Sequence, residues 1–145
     1  MRRLTPPHWR DRPAAARLRG GARSRPAGAQ RAARFAAGLA ARELFGLGIN
    51  TSCAPVLDLA VPGGHGIIGD RAYGTTPERV IALGRAVAEG LLAGGVLPVI
   101  KHIPGHGRAT RDSHLELPTV VATRAELETS DFVPLRGAAR CCRRR

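Results

Sequence analysis

The chain has 145 residues and a formal charge of +12, and its basic side chains are arginines apart from Lys101. That length is enough for one modest domain with a buried core. No apolar run reaches the length of a membrane span, and the opening MRRLTPPHWRDRP has no apolar stretch of the kind a secretory leader carries, so neither is expected.

The positive charge suggests nucleic acid until its location is considered. Residues 1–48 hold eleven arginines against Asp11 and Glu43, a net +9. Residues 49–135 hold six arginines and Lys101 against nine acids, a net −2, and residues 136–145 hold five arginines and no acid. The charge therefore sits on the two flanks, where Arg mixed with Ala, Gly and Pro resembles a GC-rich coding bias. The aromatic residues are Trp9, Phe35, Phe45, Tyr73 and Phe132, too few for a platform on which bases stack. Nucleic-acid binding is not the expectation. Three cysteines, Cys53, Cys141 and Cys142, make no disulfide framework; Cys53 reads as a small core residue, and a reducing compartment fits.

Residues 1–30 are rich in Arg, Pro, Gly and Ala without clear periodicity and read as loop or poorly structured chain. RAARFAAGLAARELFGLG, residues 31–48, reads as an amphipathic helix with Phe35, Leu39 and Leu44 on its apolar stripe. Ile49–Leu59 is a β-rich apolar run, followed by a turn-rich loop holding Pro62, Gly63, Gly64 and Gly66. A helix then opens at Thr76 as cap, with Pro77 at its first position and Glu78 at the positive end. Val80, Leu83, Val87 and Leu91 recur at helical spacing, and Gly94 and Gly95 end the helix. Val96–Ile100 reads as a short strand buried on both faces, and strand–helix–strand implies a right-handed parallel βαβ unit. Leu115–Val121 reads as a further extended segment, and Thr123–Glu126 forms a capping box for another short helix. From Gly137 the chain reads as a frayed, Arg-rich tail, residues 137–145.

In parallel α/β folds ligands bind at the carboxyl ends of strands. That rule selects Asp58 after the first strand, Lys101 and His102 after the second, and Asp112 and His114 in the loop that follows. Pro104, Gly105 and Gly107 permit sharp turns and close backbone approach there. A carboxylate two residues from a histidine can hold its imidazole in one tautomer, and a ring so held can act as general acid and then base. The alternative is a solvated charged loop with no shared task. His102, His106 and His114 also offer metal-type nitrogens, but Pro104 and Gly105 oppose a helical pair and no HExxH is present. Lys101 either pairs with a neighbouring carboxylate such as Asp58 or donates to substrate hydroxyls, and Asp58 reads as a structural carboxylate rather than a catalyst. Arg71, in GDRAYG, is a loop cation or a substrate clamp.

NTSCAPVLDL, IIGDRAYG and VLPVIKHIPGHGRATRDSHLELP closely resemble the bacterial β-N-acetylhexosaminidases of glycoside hydrolase family 3, from about Gly48 to Leu135. RLTPPHWRDRPAAARL is similar to a segment further upstream in that family. The resemblance implies an α/β fold, an incomplete (β/α)8 TIM barrel over residues 31–136, shorter than the ~250 residues of a complete barrel. It implies release of terminal β-linked N-acetylglucosamine from peptidoglycan fragments during cell-wall recycling in the cytoplasm. The resemblance implies a retaining double displacement with no metal or organic cofactor. His114 becomes the acid/base, assisted by Asp112, and Arg71, Lys101 and His102 become sugar-binding residues. The partner expected from the resemblance is an N-acetylglucosamine-containing saccharide or muropeptide, with no metal or membrane and with nucleic acid not expected. The family's nucleophilic Asp and its more N-terminal sugar-binding Asp and Arg find no counterpart, so the chain is expected to be inactive alone. A β-glucosidase-like member of the family and a non-catalytic basic nucleic-acid-binding protein are the competing readings.

Overall fold

The computed structural model describes residues 12, 14–64, 66–103 and 105–139. The PPHWR stretch, Pro104, and the tail from Arg140 with Cys141 and Cys142 lie outside them.

Among the described residues five α-helices and two short strands follow one another as α1 (Ala15–Ser24), α2 (Pro26–Gly46), β1 (Thr51–Ser52), α3 (Pro77–Ala93), β2 (Leu97–Pro98), α4 (Arg124–Thr129) and α5 (Phe132–Ala139). A 3-10 turn at Gly69–Arg71 precedes α3. The expectation of loop for residues 1–30 is corrected at α1, and α2 starts five residues earlier than periodicity suggests. Two glycines and a sparse apolar pattern hide α1. Its contact with the core runs through Ala22 and the half-buried Leu18, one helical turn apart. Such a helix owes its stability to packing rather than to propensity.

The packing of α2 on α3 is the heart of the molecule. The buried positions of α2 are Ala29, Ala33, Ala37 and Ala41, spaced by four residues. The expected stripe of Phe35, Leu39 and Leu44 is therefore corrected: Phe35 is 69% exposed, Leu39 is exposed, and only Leu44 leans on the core. The facing residue Gly90 shows why. A Cβ there would collide with the Arg34 carbonyl oxygen and lie 2.9 Å from the Ala37 methyl. Backbones this close leave room for methyl groups, and larger side chains are displaced to the flank. On α3 the expected face holds, with Val80, Leu83, Val87 and Leu91 all buried. Pro77 opens that helix, while Thr76 occupies the cap position without a side-chain hydrogen bond. Gly94 is the C-cap, and Gly95 takes φ +86°.

β1 and β2 are parallel, pairing Thr51 with Leu97 and Ser52 with Pro98. The ladder continues past the strands: Val99 N–H donates to Ser52 (2.9 Å), and Val56 bridges Lys101, where Leu57 N–H donates to the Lys101 carbonyl (2.6 Å). The backbone around Pro55–Asp58 is thus tied to the residues after β2. The expectation that Val96–Ile100 is buried on both faces fails at Leu97, 58% exposed, and at Val99. In a two-stranded sheet α3 covers one face, and no described element covers the other. Cys53, expected in the core, is exposed for the same reason. Residues 115–121 form no described strand, and Leu115, Leu117 and Val121 project into solvent.

The Thr123–Glu126 capping box is present in full at α4. The tail expected from Gly137 is corrected: α5 runs to Ala139 and buries Ala138. The Gly137 carbonyl accepts from Arg85 Nε (3.1 Å) and Nη2 (2.7 Å), clasping α5 to α3.

Two measurements test this packing. Gly90→Ala should force α2 and α3 apart and cost about 2 kcal/mol in urea denaturation, whereas an unchanged midpoint would mean the helices are not in such close contact. Tyr73 packs against both main core clusters, and burial pushes its phenol from 10.0 up to about 12. Because the neutral form is favoured in the fold, this contribution to stability is intact below pH 10 and is lost as pH rises through about 12. Absorbance of this single tyrosine should show ionisation near pH 12 in the native chain and near its ordinary value in denaturant.

Candidate active site

The site is built on a buried carboxylate. Asp58 follows Leu57 at the end of the β1 side of the ladder, and its side chain is fully enclosed. Its Oδ2 accepts from His102 Nδ1 at 2.5 Å, and its Oδ1 accepts from the His106 backbone N–H at 2.6 Å. A buried charge needs such partners. Asp58 is a structural carboxylate as expected, but its partner is His102 rather than Lys101. No ion pair joins Lys101 to a carboxylate among the described residues. Lys101 takes part in the ladder through its backbone, and the Lys101–His102 peptide is cis.

From this anchor the chain turns into the loop. The His106 ring meets His102 edge-on, with centroids 5.7 Å apart. Gly107 passes so close to the first strand segment that a Cβ there would strike the Leu59 carbonyl oxygen. Arg108 then donates from Nε to Asp131 (2.7 Å) and from Nη2 to Ser130 (3.1 Å), tying the loop to the α4–α5 junction.

Asp112 and His114 stand beyond this clamp. Asp112 Oδ1 accepts both the His114 backbone N–H and the ring Nδ1–H, each at 2.8 Å. The imidazole thereby presents Nε2 outward, and the ring is 79% exposed. Arg71 approaches from the 3-10 turn, its Nη1 donating to the Ile67 carbonyl at 3.2 Å. Ile67, Arg71, Asp112 and His114 line one open depression. Lys101 and His102 are not among its described lining residues. The five candidate residues thus fall into two groups, one on the depression and one at the strand end. Chemically, a carboxylate-held imidazole beside a guanidinium can exchange a proton with a bound polar group while the guanidinium holds an adjacent oxygen.

The three histidines are engaged separately: His102 Nδ1 by Asp58, His106 Nε2 with Ser113 Oγ (3.1 Å), and His114 Nδ1 by Asp112. Among the described residues no three His, Cys, Asp or Glu side chains converge as metal ligands would. The Arg108–Asp131 and His106–Ser113 contacts escape sequence reasoning, because nothing in spacing links residues 108 and 131.

Comparison with known proteins decides the family. The model for the glycosyl hydrolase family 3 N-terminal domain matches residues 21–139. The chain belongs to that family. The β-hexosaminidase of Alkalilimnicola ehrlichii is 46% identical to it over 101 residues, 70% of this chain and 29% of that protein. Native NagZ from Neisseria gonorrhoeae is 38% identical, with a TM-score of 0.83 over 88% of this chain and 37% of its own. The same enzyme in complex with N-trifluoroacetyl-D-glucosamine gives a TM-score of 0.82 at 38% identity and the same coverage. The chain spans under a third of the length of the curated relatives it matches. The partial-barrel expectation holds. This family-3 chain contributes one parallel strand pair and its surrounding helices, with helix predominating.

Removing the buried anchor tests the geometry. Asp58→Ala leaves the His102 ring and the His106 amide without their acceptor, and it should lower stability by about 3 kcal/mol in urea denaturation. The slowly exchanging His102 Nδ1–H resonance should vanish with it. An alanine variant as stable as the parent chain would contradict the anchor.

Proposed function

We propose that this family-3 chain carries the acid/base half of a retaining β-N-acetylhexosaminidase, acting on terminal N-acetylglucosamine of peptidoglycan fragments in cytoplasmic cell-wall recycling. The observation that carries the reading is the Asp112–His114 pair lining one depression with Arg71. The relatives' activity as β-hexosaminidases, and the binding of an N-acetylglucosamine analogue by NagZ, support the choice of sugar.

In this reading His114 Nε2 gives a proton to the glycosidic oxygen as the bond to the anomeric carbon breaks. It then takes a proton from the water that releases the sugar. Asp112, on the opposite side of the ring, stabilises the charge that the imidazole carries before it gives up its proton and regains when it takes one from water. Arg71 binds sugar oxygens from the depression, and Lys101 and His102 do so from the strand end. With Nδ1 committed to Asp58, the remaining polar atom of His102 is Nε2, which suits a donor or acceptor to a hydroxyl.

Retention of configuration also requires a nucleophile on the opposite face of the sugar. Among the described residues Asp112 is the only carboxylate lining the depression, and its Oδ1 already serves the histidine. Turnover by this chain alone is therefore expected to be negligible. Robust hydrolysis of a chromogenic N-acetylglucosaminide by the purified chain, abolished by His114→Ala, would reverse that expectation.

Binding separates the hexosaminidase reading from the β-glucosidase one. In a titration followed by nitrogen–proton NMR, N-acetylglucosamine should shift the resonances of Arg71, Asp112 and His114 and leave α2 untouched. Glucose at equal concentration should produce weaker shifts, and Arg71→Ala should weaken N-acetylglucosamine binding by roughly ten-fold, as loss of a charged hydrogen bond implies. Equal responses to both sugars, or none, would defeat the proposal.

A further inference from the structure

The Asp112–His114 pair is held together locally, but local bonds do not decide where the pair stands. Within the stretch around it, Arg111 pairs with Glu116, and the amides of Leu115 and Glu116 both donate to the Asp112 carbonyl at 3.0 Å. These contacts close the stretch on itself. The His106–Ser113 hydrogen bond is different, because it reaches from the residue between Asp112 and His114 back to a fixed point. His106 is fixed twice, by its backbone N–H on the buried Asp58 carboxylate and by its ring against His102. Ser113 therefore connects the exposed acid/base stretch to the most enclosed charge at the strand end.

We infer that the His106–Ser113 hydrogen bond is a latch that sets the stance of the Asp112–His114 pair over the depression beside Arg71. His106 and Ser113 are positioning residues, acting through His114 rather than on the sugar. The latch tolerates either charge state of His106. A neutral ring nitrogen accepts from the serine hydroxyl, and a protonated one donates to it. The assignment rests on the reading of His114 as the acid/base group, since a latch matters only if the ring must meet a bound atom.

The test compares the parent chain with Ser113→Ala, Ser113→Thr, His106→Phe and the double variant His106→Phe/Ser113→Ala. His106→Phe keeps the ring contact with His102 and the backbone bond to Asp58 while removing Nε2. In Ser113→Ala the backbone order parameters of residues 110–116 should fall from about 0.85 to below about 0.6. The His114 Nδ1–H signature of the Asp112 bond should persist, because that bond is local. N-acetylglucosamine binding should weaken roughly five-fold, the loss expected for one hydrogen bond. His106→Phe should match this loss, and the double variant should be no worse than either single one, as residues acting through one bond require. Ser113→Thr, which retains the hydroxyl, should restore order and affinity together. Unchanged order parameters in Ser113→Ala, or additive losses in the double variant, would overturn the latch. If the parent chain fails to bind N-acetylglucosamine, the functional reading falls, and the order parameters of the variants still decide the latch.

Discussion

The Asp58 carboxylate is the interaction on which the site depends. It lies where the parallel ladder ends, enclosed by protein, and a charge in that position is tolerated only with donors on both oxygens. His102 and the His106 amide are those donors, and both belong to the segment that leaves β2. One carboxylate thus sets the direction in which the chain departs from the sheet. It holds His102 directly and starts the loop that carries the Asp112–His114 pair. A hydrogen-bonded carboxylate suits this task better than an apolar contact, because its two acceptors impose direction as well as proximity.

The position of Asp58 is in turn set by helices. α3 links the two strands and packs its Val80, Leu83, Val87 and Leu91 face inward, so the ends of β1 and β2 arrive together. The Ala and Gly seam between α2 and α3 brings the helices close enough to exclude bulky side chains. Close approach gains dispersion contacts along the whole seam and leaves little freedom for α3 to slide. On the other flank Arg108 and Arg85 bind the α4–α5 region to the loop and to α3 respectively. The loop between residues 105 and 123 is therefore tied at its base, while its tip with His114 stays open to solvent.

Legibility from sequence followed the range of the interaction. Contacts closed within a few residues were readable: the Thr123–Glu126 capping box, the α3 face, and the Asp112–His114 bond two residues apart. Errors arose where a distant neighbour decides. Phe35 and Leu39 have the right spacing for a core stripe, yet Gly90 brings α3 so near that alanines take the buried face. Leu97, Val99 and Cys53 carry the composition of a buried strand, but burial depends on what lies across the sheet. Asp58 was recognisable as structural, whereas its choice of His102 over Lys101 depends on how the chain turns after the ladder. The tight Arg108–Asp131 pair spans 23 residues and leaves no trace in local pattern.

The exposure of His114 says what the site still needs from its ligand. Two unit charges about 4 Å apart attract by about 1 kcal/mol in bulk water and by about 4 kcal/mol where the effective dielectric is near 20. At 79% exposure the ring sits close to the first regime, where the contact with Asp112 serves to orient the imidazole. Covering the depression moves the pair toward the second regime. A sugar ring lying against Ile67 and Arg71 would itself displace the water that screens the pair. Under the proposed glycosidase reading, proton transfer would then be favoured where the glycosidic oxygen is already in place, and the open loop would hold an ordered but weakly polarised imidazole until that moment. Geometry is built into the fold through Asp58, and electrostatic strength arrives with whatever excludes the solvent.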